Sequence, residues 1–163
     1  SQIKWVGRKI ASSHDGIVNI TSGEIILKGI QLQSAEIIVD MTTIQNKDIE
    51  SEEYRAKLTG HLKNEDFFNV SEYPTSTLKI NKSEDLGNSN FRFFGDLTIK
   101  GISHPIEFEG KVEENSGKFN SIINLVFDRT KWDIHYGSGK FFEDLGDRMI
   151  LDDIELEVTI SSL

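Results

Sequence analysis

Apolar and polar residues alternate with a period of two along most of this chain, and that pattern commits it to strands. In "SAEIIVDM", Ala35, Ile37, Val39 and Met41 share one face, against Glu36, Ile38 and Asp40. In "FRFFGDLTIKG", Phe91, Phe93, Gly95, Leu97 and Ile99 oppose Arg92, Phe94, Asp96, Thr98 and Lys100. "PIEFEGKV" sets Ile106, Phe108, Gly110 and Val112 against Glu107, Glu109 and Lys111, and "DIELEVTI" sets Ile154, Leu156, Val158 and Ile160 against Glu155, Glu157 and Thr159. Segments with one apolar and one charged face read as antiparallel strands with one wet side. "IKWVGRKIA", "TSTLKI" and "FNSIINLVFD" add three weaker strands, and "IVNI" and "EIILKG" read as two more around a turn at Ser22-Gly23. The count is about eight or nine. Turn chemistry falls between them in "HDG", "DLGNSN", "KGIS" and "NSG". The two prolines, Pro74 and Pro105, read as strand starts.

One segment leaves this rhythm. "SEEYRAKLTGHL", residues 51–62, places Tyr54, Leu58, His61 and Leu62 on a helical stripe. Ser51 suits an N-cap, and Glu52 and Glu53 suit the positive end of the helix dipole. Many short antiparallel strands plus one helix predict an all-β barrel or sandwich. With 163 residues and no repeat or linker, the chain reads as one domain, 1–163.

Charge narrows the partners. Eighteen Lys+Arg against 27 Asp+Glu give a net charge of -9, which repels phosphate backbones and anionic membrane surfaces. No apolar run approaches a membrane span. No secretory leader is visible, and its absence leaves localisation open. The chain has no cysteine, so disulfides, thiolate metal sites and cysteine nucleophiles are excluded.

Spacing supports no catalytic or metal site. His14, His61, His104 and His135 are scattered without a zinc-type spacing. The pairs Glu65-Asp66, Glu143-Asp144 and Asp152-Asp153 are what 27 acidic residues produce by chance on turns. No nucleophile elbow or phosphate loop appears, so no enzymatic activity and no cofactor are expected. What remains is the apolar face, whose residues converge inside a closed sheet. Periodicity alone does not separate a packed core from a cavity; a barrel of about eight strands is wide enough for either. The densest stretch, "HLKNEDFFNVSEYP", offers Asn64 or Asp66 as a cap for a tight turn. Phe67 and Phe68 then either plug one end or touch a ligand.

"GHLKNEDFFNVSEYPTSTLKI", "GDLTIKGISHPIEFEGKV", "FDRTKWDIHYGSG" and "DDIELEVTI", in this order and with "WVGRKIASSHDG" and "DMTTIQN" ahead of them, resemble the YceI-like family over nearly the whole chain. The resemblance implies a lipocalin-like antiparallel barrel of about eight strands, with the short helix capping one end. It also implies a tunnel for a polyisoprenoid, a prenyl phosphate, a quinone tail or another lipid, held without bond chemistry. The expected lining is Trp5, Ile37, Val39, Phe67, Phe68, Phe91, Phe93, Leu97, Ile99, Ile106, Phe108, Ile123, Leu125, Phe127, Leu156 and Val158. Many members carry Phe and then His at alternating positions of the first strand; this chain has Trp5, Gly7 and Lys9. Lys9, with His14 nearby, becomes the candidate for an anionic head group, against the alternative of a surface lysine. Family members are often exported to the bacterial periplasm, and their barrels occur as monomers or homodimers. The competing expectation is a filled barrel that binds a protein partner through its loops as a structural or stress-response module.

Overall fold

A computed structural model describes residues 1–162. Eight antiparallel strands run β1 (Gln2–Arg8), β2 (Ser13–Lys28), β3 (Gln31–Asn46), β4 (Thr75–Gly87), β5 (Asn90–Ile99), β6 (Ile102–Asn115), β7 (Lys118–Asp128) and β8 (Asp153–Ser161), with helix α1 (Glu52–Lys63) between β3 and β4. Each strand pairs with its neighbour in sequence, and β8 closes on β1, giving an up-and-down barrel. Closure pairs every strand with two neighbours over part of its length, which leaves only short unpaired stretches. The alternation decides which side faces in: Ile37, Val39, Phe91, Phe93, Leu97, Phe108, Ile123, Leu125 and Val158 are buried inside. In β1 the inward face proves to be Ile3 and Trp5.

Turn chemistry closes the hairpins. Lys100 and Gly101, between β5 and β6, both have positive φ, as do Ser116 and Gly117 between β6 and β7. Two-residue turns of this kind match the twist of the strands they join. Three local expectations need correction. Ser22-Gly23 is no turn: both residues pair across to β3, with Ile38 and Ile37, and the register shift between Ile20 and Ser22 absorbs the irregularity as a bulge in one continuous strand. "HDG" is likewise strand, His14 pairing with Gly7 and Gly16 with Trp5. A Cβ at Gly16 would lie 1.8 Å from the Gln45 carbonyl oxygen and 2.6 Å from Trp5 Cζ2. That glycine is a packing requirement, which explains a turn-like residue inside a strand. Pro105 lies within β6 opposite Asp96, not at its start. Pairing of β6 with β7 stops at Glu109–Asn124, so around Pro105 the strand is bonded on one side only, where a missing N–H is tolerated.

The two strands diverge beyond that point. Trp132, from a short 3₁₀ turn after β7, wedges the gap. It is buried, donates its indole N–H to the Leu97 carbonyl at 3.0 Å, and meets Phe127 and His104 edge-on.

Candidate functional site

The barrel is hollow at one end. A cavity of about 180 Å³, measured at the centres of water-sized spheres, lies beneath α1 and the connections at that end. Its wall is almost wholly carbon, and among the described residues no Asp or Glu lines it. Eleven of the sixteen expected lining residues are on this wall: Trp5, Ile37, Val39, Phe67, Phe68, Leu97, Ile99, Leu125, Phe127, Leu156 and Val158. The other five are not. Phe91, Phe93, Phe108 and Ile123 are buried in the opposite half, and Ile106 is half-buried in the β6–β7 seam. The physical reason is bulk. Phe91 and Phe93 stack at 6.2 Å between ring centroids, and Phe93 lies 5.5 Å from Phe108. These adjacent strands thus fill their half of the barrel and leave no lining surface.

Several wall residues escaped the sequence reading. Met41 continues the face of Ile37 and Val39, so its signal was present. Leu58 and Leu62 lie on the predicted helical stripe and both reach the cavity. Tyr54, the first member of that stripe, is instead 64% exposed, because α1 only leans over the opening and buries no residue fully. Ile134 and Ile150 come from the long β7–β8 connection, which has no period to read.

Local chemistry fixes the cover. The Ser51 hydroxyl accepts the Tyr54 amide at α1's start, and Glu52 and Glu53 occupy the first turn. At its end Asn64 is the C-cap, and its side-chain oxygen accepts the Asp66 amide at 2.9 Å. The amides of Phe67 and Asn69 bond back to the Asn64 carbonyl, winding a compact turn that swings both phenylalanines to the cavity. His61 holds that turn through Asp66 at 2.9 Å, with its ring edge-on to Phe67 and to Tyr136 of the β7–β8 connection.

Four basic side chains border the cavity: Arg8, which is paired with Glu155 at 2.8 Å, Lys9, His14 and Arg129. Lys9 is exposed and has no ion-pair partner among the described residues. Its amide bonds the Ser12 carbonyl, and it bridges to Ile150. His14 also borders the cavity, but its Nδ1 is 2.8 Å from Asp48. Asp48 in turn accepts from the Asp15 amide and from Asn46, which is buried. Burial raises the Asp48 pKa, but the bonds from His14, Asp15 and Asn46 outweigh it and hold the carboxyl below its ordinary range. Arg129 is 1% exposed and donates to the carbonyls of Leu151, Ile134 and Ile150. Burial pulls its guanidinium below the ordinary value against the opposing pull of Asp152 and Asp128, yet a guanidinium stays charged. It fastens the β7–β8 connection over the cavity. Trp5 adds a buried indole N–H without an acceptor among the described residues, and Ser76 and Thr77 also border the cavity.

The expected acidic pairs form no cleft. Asp66 belongs to the His61 turn, and Asp152 to the Arg129–Lys140 cluster. Among the described residues no three His, Asp or Glu side chains are grouped to hold a metal.

A closed eight-stranded up-and-down barrel with an apolar cavity open at one end defines a lipocalin-like architecture. The chain belongs to the YceI family: the YceI-like domain model matches residues 1–162. Among curated relatives, a UPF0312 protein of Vibrio parahaemolyticus is 29% identical over 98 residues, covering 59% of this chain and 48% of that protein. The chain thus matches about half the length of that relative. Among solved structures, BcnA of Burkholderia cenocepacia superposes with a TM-score of 0.80 at 17% identity, covering 99% of this chain and 96% of that one. A polyisoprenoid-binding domain from Saccharophagus degradans, implicated in plant cell wall breakdown, superposes with a TM-score of 0.68 at 12% identity, covering 98% and 91%. These likenesses establish the fold.

Proposed function

We propose that this chain binds and carries, without bond chemistry, a lipid-like molecule whose apolar tail occupies the barrel cavity and whose polar end stays at the mouth. The observation that carries this reading is the carbon wall itself, a partly enclosed cavity over which Leu58, Leu62, Phe67 and Phe68 lie. A surface of this kind offers area and no hydrogen-bond code, so it suits a polyisoprenoid, a quinone tail or an acyl chain. Burying ~300 Å² of tail would contribute on the order of 7 kcal/mol, reduced by the cost of ordering the chain. Lys9 is the free cation at the opening and the group we assign to an anionic head; His14, committed to Asp48, positions the β2 end of the mouth. The polyisoprenoid-binding relative supports the same substrate class. Work in the bacterial envelope, as the family resemblance implies, suits a carrier of membrane-derived molecules.

Trp5 provides the test. It lines the cavity, and Trp132 does not, so a Trp132→Phe protein reports on the cavity through one indole. Adding farnesol or farnesyl phosphate should shift Trp5 emission saturably, and organic extraction of freshly purified protein should yield an apolar-tailed compound detectable by mass spectrometry. An extract without such a compound, together with unchanged Trp5 emission for every tail tried, sinks the carrier reading.

A further inference from the structure

The same barrel that is hollow at its mouth is stopped at mid-height, and the stop has the geometry of a ruler. We infer that the stack of Phe91, Phe93 and Phe108 is a tail-length selector, which limits the bound molecule to a tail of about three isoprene units or a dozen extended carbons. This rests on the carrier reading and adds the size class of its ligand.

The estimate follows from the strands. From Lys9 at the mouth to Ile3 on the deepest wall, β1 covers about 20 Å at ~3.3 Å per residue. Barrel strands lean by ~35–45°, so the axial depth is about 15 Å. A carbon chain with bonds of ~1.5 Å at near-tetrahedral angles advances about 1.25 Å per bond, which gives about a dozen carbons over that depth. The mean width favours single-file entry. Spread over that depth, 180 Å³ leaves a section about 4 Å across for the centres of water-sized spheres. Two chains side by side need ~3.5–4.0 Å between their own carbon centres, and methylenes are bulkier than water, so the tail enters in single file.

Below Leu125 the next inward residue is Ile123, and below Leu97 come Gly95, which has no side chain, and then the rings of Phe93 and Phe91. Phe93 is 0% exposed, and Phe91 and Ile123 are each 1% exposed. None of them borders the cavity. Strand β6 contributes no residue to the cavity wall at all; its inward Phe108 belongs to the floor. A floor of stacked rings at interior packing density yields to a longer tail only by off-rotamer movement of several large side chains at once.

The experiment is a length series with a constant head. Geraniol, farnesol, geranylgeraniol and solanesol are titrated against the Trp132→Phe protein, following Trp5 emission. Affinity should climb about fourfold per added buried carbon up to farnesol, then level or fall for the two longer alcohols. In a Phe93→Ala background the climb should extend to geranylgeraniol. Phe93→Leu, which shortens the floor less, serves if circular dichroism shows the alanine variant unfolded, and should extend the climb by a smaller amount. Continued climbing through solanesol in the parent protein overturns the selector while leaving the carrier reading intact. So does an unchanged length profile in a folded floor variant. If none of the four alcohols binds, the carrier reading fails and the selector with it.

Discussion

At the floor of the barrel, Phe91, Phe93 and Phe108 pack ring against ring and exclude all space; at the mouth, Phe67 and Phe68 face a cavity. Both ends obey the same rule of apolar residues turned inward. What separates them is where the rings come from. The floor rings project from β5 and β6: Phe91 and Phe93 are two residues apart on one strand, a spacing that stacks their rings, and Phe108 pairs with Phe93 across the ladder. The mouth rings come from a turn after α1, held in place by Asn64 and His61, and they reach the wall from above. A floor built on strands can be dense, whereas a cover built on a turn can enclose space without filling it.

The sharpest way to break this contrast is to remove the same ring from each end. Phe93→Ala should cost about 4 kcal/mol, because a fully buried phenylalanine loses its transfer energy and leaves a cavity; that lowers Tm by roughly 10 °C in a domain of this size. Phe68→Ala, at a half-buried ring that already borders open space, should cost only about 1–2 kcal/mol. For bound farnesol the ranking inverts, with Phe68→Ala weakening Kd about tenfold by loss of tail contact. Paired thermal melts and titrations decide it. Equal destabilisation by the two variants would show that the ends are packed alike.

Next in size is the fastening of the cover. Arg129→Met keeps the volume of the side chain and removes its donors, leaving the carbonyls of Leu151, Ile134 and Ile150 without their partner. About 3 kcal/mol should be lost. Hydrogen exchange should accelerate in residues 133–151 before it does in β5 and β6. Uniform acceleration through the barrel would instead make Arg129 part of the common core.

The contrast also explains what could be read without coordinates. The alternation in β3, β5, β6 and β8 revealed the strands and their inward faces, and the helix was visible from Ser51 and the Leu58–Leu62 spacing. Hollow and filled halves were not legible, because periodicity states which way a side chain points and not how many others meet it at that height. Phe93 and Leu97 have the same parity in one strand, yet only Leu97 borders the cavity. The bulge near Ser22 was hidden as well, since Ser-Gly carries turn chemistry and only pairing with Ile38 and Ile37 keeps it in the ladder. Arg129, Ile134 and Ile150 were invisible because the β7–β8 connection has no repeat; its place depends on the fit of one guanidinium to three carbonyls.

A smaller effect at the mouth end depends on pH. The Asp48 carboxyl at the mouth is held below its ordinary range, so it stabilises the fold fully above about pH 4, near the unfolded carboxyl's pKa. That contribution is lost as pH falls through the lower folded value. Asp128 behaves alike: burial raises it, and bonds from Thr130 and Lys140 outweigh that. Asp48→Asn should therefore reduce Tm above pH 4 and flatten part of the acid limb, with Asp128 keeping the remainder. A limb unchanged in Asp48→Asn would remove this carboxyl from the acid sensitivity of the cover.

The smallest structural change is expected at Lys9, and it isolates the head from the tail. Its side chain is exposed and has no ion-pair partner among the described residues, so Lys9→Ala should alter stability by no more than about 0.5 kcal/mol. Its charge nevertheless lies at the α1 end of the cavity, where we place an anionic head on a bound tail. Farnesyl phosphate should then bind roughly two- to fivefold more weakly to the variant at low salt, the scale of an exposed ion pair. The difference should shrink as ionic strength rises and the Debye length falls to ~8 Å and below. Farnesol, with the same tail and no charge, should bind both proteins equally. An equal loss for alcohol and phosphate would assign the effect to contact of the lysine stem with the tail. No loss for either would place the head away from Lys9. Because Phe93→Ala should change the length profile and leave this phosphate-to-alcohol ratio untouched, the two variants together show whether mouth and floor select their ends of the ligand independently.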